Sequence, residues 1–212
     1  MKRPSSSSVS IGALSLQHPI AMNRRTFATG IFAAGVTAGA IAEAPLRKTE
    51  PEQLHLKPNG WMPNNVLPVL IYLAVFPVTP DLANKMDLVF TINRWPPQWR
   101  NGIYTFHHYH STAHEVLGIA TGHVDVMLGG ENGHTVTARA GDVLILPTGT
   151  GHCRITASDD LLVVGAYPTG QHWDICRTAA TPDVLERMRT IKFPASDPVF
   201  GKEGALPKVW TT

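Results

Sequence analysis

Residues Tyr104 to Gly118 read YTFHHYHSTAHEVLG, a stretch that sets four histidines and a glutamate within nine positions of a chain with ten histidines in all. As extended backbone it puts His108 and His110 on one face and His107 and Tyr109 on the other, because side chains alternate along a strand. Two imidazoles about 6–7 Å apart on one face can converge on a single cation. Glu115 follows across the turn STAH, at the start of the next strand, and offers a carboxylate to the same point. A zinc-protease helix is excluded, since HEVLG lacks the second histidine of that motif and lies among strand-forming residues.

Outward from this stretch, residues 102 to 168 break into short segments: IYTFHHYH, HEVLGIAT, HVDVML, HTVTARA, DVLILP, HCRITA and LLVVGAYP. Turn-forming GGENG, AGD, PTGTG and SDD separate several of them. Six or seven strands at this spacing predict an all-β fold, an antiparallel sandwich or jelly roll. In GDVLILPTGTGHCRI a strand ends in a Pro-x-Gly turn and His152 opens the next, which makes His152 a candidate fourth donor.

Two spaced patterns now stand out. Gly102, His108-x-His110, Glu115 and Gly122 match the first motif of the cupin superfamily at its fixed positions. Gly141, Pro147-x-Gly149 and His152 match the second, with Thr156 where that motif ends in asparagine. With NGIYTFHHYHSTAHEVLG, GAYPTGQHWD and DPVFGKEG around them, the chain resembles the YjlB-like single-domain cupins, of the RmlC-like jelly-roll type, over nearly all of its mature length. The resemblance implies one double-stranded β-helix, or jelly-roll barrel, and it implies His108, His110, Glu115 and His152 as metal ligands.

Three imidazoles and one carboxylate suit one divalent transition metal, Mn, Fe, Zn, Ni or Cu, and the donor types do not choose among them. Tyr104 and Phe106 share the face of His108 and His110 and are candidates to line a substrate pocket. Arg154 shares the face of His152, from which it either anchors an anionic substrate or reaches solvent at the barrel mouth. His107, His114, His123 and His134 fall off the pattern and read as surface residues or as residues that orient a ligand.

The flanks add little chemistry. TPDLANKMDLVFTINR predicts a short helix starting at Thr79-Pro80-Asp81, and TPDVLERMRTI a second with its N-cap at Thr181. LHL and VLPVLIYLAVF predict an early strand and an apolar arm packing on the body or on a second copy in a homodimer, and the tail DPVFGKEGALPKVW an ordered loop with Trp210 packed down. Residues 43–100 are thus expected as arm and helix, 101–168 as barrel core and 169–212 as C-terminal helix and tail.

Before them, Arg24-Arg25 precedes Phe27 and an uncharged stretch from Thr26 to Ala42 with six alanines and three glycines. This resembles a twin-arginine export signal, with cleavage after Ala42 and either Met1 or Met22 as the start. Seventeen weakly apolar residues fall short of the roughly 20 that a membrane span needs. Residues 1–42 are therefore set apart from the fold, and the mature protein is expected outside the cytoplasm, periplasmic or extracellular, after passage through the export machinery.

The formal charge of +2 comes from this leader, which holds four basic residues and no acid; 14 basic and 16 acidic residues follow. Nucleic-acid binding has no electrostatic basis in such a body. Cys153 and Cys176 fit a disulfide or two buried thiols. The function expected is that of a metal-dependent enzyme of oxygenase or isomerase type on a small organic molecule, or else of a non-catalytic exported protein that binds a metal or ligand.

Overall fold

The computed structural model describes residues 45–211. The expected export segment lies outside them, and no described helix is long and apolar enough to cross a membrane. In chain order the elements are β1 (Glu52–Leu54), β2 (Val69–Tyr72), α1 (Leu82–Ile92) and β3 (Pro97–Asn101). Next come β4 (Glu115–Thr121), β5 (His123–Leu128), β6 (His134–Arg139), β7 (Val143–Leu146), β8 (His152–Ala157) and β9 (Leu162–Ala166). Two helices, α2 (Pro182–Thr190) and α3 (Leu206–Val209), follow the barrel.

All strand pairings are antiparallel and fall into two sheets, one in the order β1-β2-β7-β4-β9-β3 and one in the order β6-β5-β8. Burial follows from this layering. On one face of the larger sheet Leu117, Ile119, Leu144, Leu146 and Val163 meet Val124, Val126 and Leu128 of β5 across the barrel interior. Its opposite face carries Val116, Ala120, Ile145 and Val164 against Leu82, Met86 and Phe90 of α1. Covered on both faces, β2 and β7 are buried at every residue, which is why they read as unbroken apolar runs. β5 has one face toward solvent, and its burial alternates. The fold is an all-β jelly-roll barrel with short flanking helices.

Helix α1 forms where its spacing predicts, with Leu82, Met86 and Phe90 buried. Its start differs in detail: Asp81 caps no helical N–H and instead accepts from the Thr79 hydroxyl at 2.8 Å. Helix α2 has the expected N-cap, where the Thr181 hydroxyl accepts from the Val184 N–H at 3.3 Å ahead of a proline in the first turn.

Four segments depart from the sequence reading. IYTFHHYH is not a strand: His108 bridges to His152 on one side and Tyr109 to Cys176 on the other, one residue each, so no ladder develops. β3 was hidden by Pro96-Pro97, which an edge strand tolerates because one row of its backbone donors faces away from the sheet. The early strand is Glu52–Leu54, reaching LHL only at Leu54, and the apolar arm contributes β2 to the chain's own sheet, between β1 and β7. The tail includes the single turn α3, and Trp210 packs down with its indole N–H donating to the Pro68 carbonyl at 2.9 Å. Buried Asp197 ties that tail to β2 by accepting from the Tyr72 hydroxyl at 2.8 Å and the Leu206 N–H at 3.2 Å.

Candidate metal centre

His152 opens β8, and His108 exchanges two backbone hydrogen bonds with it, at 3.2 and 2.9 Å. Their rings consequently lie 4.0 Å apart between centroids. The His110 ring comes to 5.4 Å from His108 and 5.5 Å from His152. Glu115 opens β4 and reaches between them, Oε1 at 3.3 Å from His110 Nε2 and Oε2 at 3.2 Å from His152 Nε2. All four side chains are buried. One nitrogen from each of the three rings lies within 4.8 Å of the others. The structure thus brings together the three histidines that the spacing singled out and sets Glu115 against two of them, His110 and His152.

Each ring is oriented from behind by a backbone carbonyl, which only accepts. Nδ1 therefore donates, from His108 to Phe106 at 3.1 Å, from His152 to Thr150 at 3.0 Å, and from His110 to Asp174. With the proton fixed at Nδ1, each Nε2 is the ring atom left for the shared centre. The carboxylate is oriented too. Tyr167 donates its hydroxyl to Glu115 Oε1 at 2.6 Å while accepting from the Trp99 indole N–H at 2.9 Å, which leaves Oε2 for the centre.

Among the described residues, His110 Nε2 and Glu115 Oε2 are buried without a hydrogen bond, because their close contacts are not aligned as one. Each such orphan costs about 1–3 kcal/mol. Burial pushes the Glu115 carboxyl up, but His110 and His152 outweigh it and hold the group well below the usual range, ionised. Burial works against charge on His110, yet Glu115 raises its pKa. His108 is pushed down to about 3 by burial and by its neighbours His152 and His110, so it stays neutral. Such a cluster draws one positive charge to its centre, and three imidazoles with a carboxylate are a donor set that fits a divalent transition metal.

The cluster lines an open cavity of about 350 Å³. Tyr104 and Arg154 line it as the alternation suggested, and Phe106 does not. Its ring instead stacks on Tyr104 at 4.7 Å, meets His108 edge-on at 5.5 Å, and lies under the Arg177 guanidinium at 4.2 Å. Trp99, Tyr167 and Trp173 complete the aromatic wall, and sequence reasoning missed all three. Tyr167 had a signal, because it continues the two-residue spacing of Val163 and Gly165. Gly165 is required there: a Cβ would lie 2.0 Å from the Trp99 ring.

The off-pattern histidines serve elsewhere. His107 Nε2 lies 3.5 Å from Cys153 Sγ, and buried His114 accepts the Thr148 N–H at 3.0 Å and lines a separate cavity of about 640 Å³. His123 and His134 are exposed. Cys153 and Cys176 are both free thiols. Thr156 bonds Asp125 at 2.8 Å in an exposed position, so its departure from the second motif touches none of the four donors.

No family model matches the chain. It is 33% identical over 156 residues to an uncharacterized Bacillus subtilis protein, YjlB, an alignment that covers 72% of this chain and 92% of that one. Among solved structures, procruciferin, an 11S globulin from Brassica napus, matches 44% of this chain at 17% identity and a TM-score of 0.31. This chain spans only 26% of the procruciferin chain. Acireductone dioxygenase from Bacillus anthracis, which holds cadmium in its active centre, matches 54% of this chain and 57% of its own at 22% identity and a TM-score of 0.28. Superpositions this loose say nothing further about this chain.

Proposed function

This chain belongs to the family of the Bacillus subtilis protein YjlB, and we propose that it is a metal-dependent cupin acting on a small organic molecule, by oxygenase- or isomerase-type chemistry. The observation that carries the reading is the grouping of three buried imidazoles, each fixed through Nδ1 and with ring nitrogens within 4.8 Å of one another, beside a carboxylate that meets His110 and His152 and is held at Oε1 by Tyr167. His108, His110 and His152 through Nε2, and Glu115 through Oε2, are the proposed ligands. When bound there, a divalent transition metal supplies Lewis-acid polarisation of a carbonyl or enolate, or one-electron redox chemistry.

The residues around the centre have separable tasks. Trp99 fixes Tyr167, and Tyr167 fixes Glu115, so the carboxylate presents one oxygen in one direction. The backbone carbonyls of Phe106, Thr150 and Asp174 keep the three rings in one tautomer. Tyr104 and Trp173 line the open side of the cavity and offer aromatic surface to a bound molecule.

A second reading, a non-catalytic protein that binds a metal or ligand, has its own support. Among the cavity-lining residues no carboxylate or imidazole lies outside the four proposed ligands to serve as a general acid or base. Purification with and without supplied metal separates the possibilities. The reading expects about one metal ion per chain, lost in His110→Ala, and oxygen uptake by the iron-loaded protein or isomerisation of keto acids and sugars. Stoichiometric metal without turnover on such a panel leaves the binder; an absence of metal overturns both.

The same proposal includes export by the twin-arginine route, which rests on Arg24-Arg25 and the uncharged stretch behind them. That route carries folded proteins, so the metal is acquired before passage. Fractionation of cells expressing the full chain should find it in the periplasm, and the double variant R24K/R25K should stay in the cytoplasm. Equal distribution of both rejects the signal.

A further inference from the structure

We propose that the cavity beside the metal centre takes a small carboxylate with a flat apolar body, and that Arg154 selects the carboxylate. This rests on the reading of the site as a ligand-binding metal centre, and it names the class of molecule that the site admits.

Arg154 lies two residues after His152 on β8 and lines the same cavity. Its main-chain N–H is used, donating to the Tyr104 carbonyl at 2.8 Å. Its guanidinium is not: among the described residues it has no hydrogen bond or ion pair. Other arginines of the chain show the contrast. Arg100 meets the Asp87 carboxylate at 2.5 Å, and Arg187 lies 3.8 Å from that of Asp174. Half-buried Arg154 carries five donors in a planar fork and a permanent charge, and among the described residues no carboxylate pairs with it.

The wall itself offers no substitute. Glu115 is the one carboxylate among the lining residues; Tyr167 holds its Oε1, and its Oε2 is the proposed metal ligand. The guanidinium lies beside Gly102, where a Cβ would come to 3.3 Å from Arg154 Nη1. With a divalent cation at the centre, the cavity holds a formal excess of positive charge and an unfilled bidentate donor. A carboxylate matches that fork in shape as well as charge.

The apolar part of the molecule follows from the remaining wall. Trp99, Tyr104, Tyr167 and Trp173 present aromatic surface to the cavity, and the last two are within 19° of parallel at 5.7 Å between centroids. Flat surfaces in a space of about 350 Å³ favour a compact planar body over a sugar or a long chain.

The test uses the full chain, both metal-free and loaded with cobalt(II), titrated calorimetrically with benzoate and phenylpyruvate, with benzamide and the methyl ester of phenylpyruvate, and with inorganic phosphate. At least one carboxylate should bind about tenfold or more tightly than its neutral partner and than phosphate, in both forms. Arg154→Gln should erase that preference while keeping cobalt stoichiometry and thermal stability, and Arg154→Lys should retain part of it. Equal binding of acid and neutral partner, no binding of either acid, tighter binding of phosphate, or an undiminished preference in Arg154→Gln overturns the proposal. Failure of the metal reading shows separately, as an absence of cobalt binding in a protein whose carboxylate preference is intact.

Discussion

The barrel interior has two halves made from the same strands. On β4, Glu115 faces inward at one end, and Leu117 and Ile119 face inward beyond it. Where Ile119, Val126 and Val163 meet, the interior is aliphatic and buried, with Leu117 at its border with the cavity. Where Glu115, His108, His110 and His152 meet, it is ionisable, carries two buried atoms without a hydrogen bond, and opens into a cavity. Burial of hydrocarbon stabilises the first half, at about 25 cal/mol per Å². Burial of charge and orphaned polar atoms costs stability in the second. The comparison teaches that one alternating strand can serve both ends, and that the polar end carries a stability cost which a bound cation would offset.

Substitutions in the two halves should therefore fail differently. Ile119→Ala should lower the stability of the metal-free protein by about 2–5 kcal/mol in chemical denaturation while the folded fraction still binds one metal. A loss below about 1 kcal/mol would mean that the aliphatic half is not the stabilising one. Glu115→Gln keeps the shape and removes the charge. It should weaken metal binding by about 100-fold, so that the roughly 2.7 kcal/mol of stabilisation gained from metal at 100 times its dissociation constant falls to about 0.4 kcal/mol at the same metal concentration. Tyr167→Phe removes only the hydroxyl that holds Glu115, and metal affinity should fall by about tenfold.

Acid sharpens the contrast with a smaller effect. Burial pushes both His108 and His114 down to about 3 from an ordinary 6.5. Below pH 6.5 the unfolded chain takes up protons there that the folded chain refuses, so the stability from these groups is complete above that pH. It drains away as pH falls toward 3, by at most about 1.4 kcal/mol per pH unit for each histidine. Denaturation midpoints between pH 7.5 and 5.5 should fall for the metal-free protein, and fall less in His114→Gln. His110, raised by Glu115, works in the opposite direction in both proteins, so a midpoint that falls as much in His114→Gln as in the unaltered protein would contradict the neutral state of the His114 ring.

Much of this was legible in the sequence because it is local. The alternation of His108 and His110, the nearby Glu115 and the turn before His152 are short-range patterns, and their spacing carries the fold with them. What stayed hidden arrives from far along the chain. Asp174 orients His110 from 64 residues away, and Tyr167 reaches Glu115 across 52. No spacing rule links such positions, since their meeting depends on which strands lie side by side. β3 was obscured for another reason: its prolines argue against a strand until the strand is known to lie at an edge. The irregular run through His108 kept the expected facing of its two histidines without being a strand, because bridges on either side fix it residue by residue.

Anomalous diffraction from crystals of the metal-loaded protein should show one strong peak bonded to Nε2 of His108, His110 and His152 and to Oε2 of Glu115, at about 2.0–2.3 Å from each. A peak elsewhere, or a peak that leaves His152 or Glu115 uncoordinated, would contradict that ligand set.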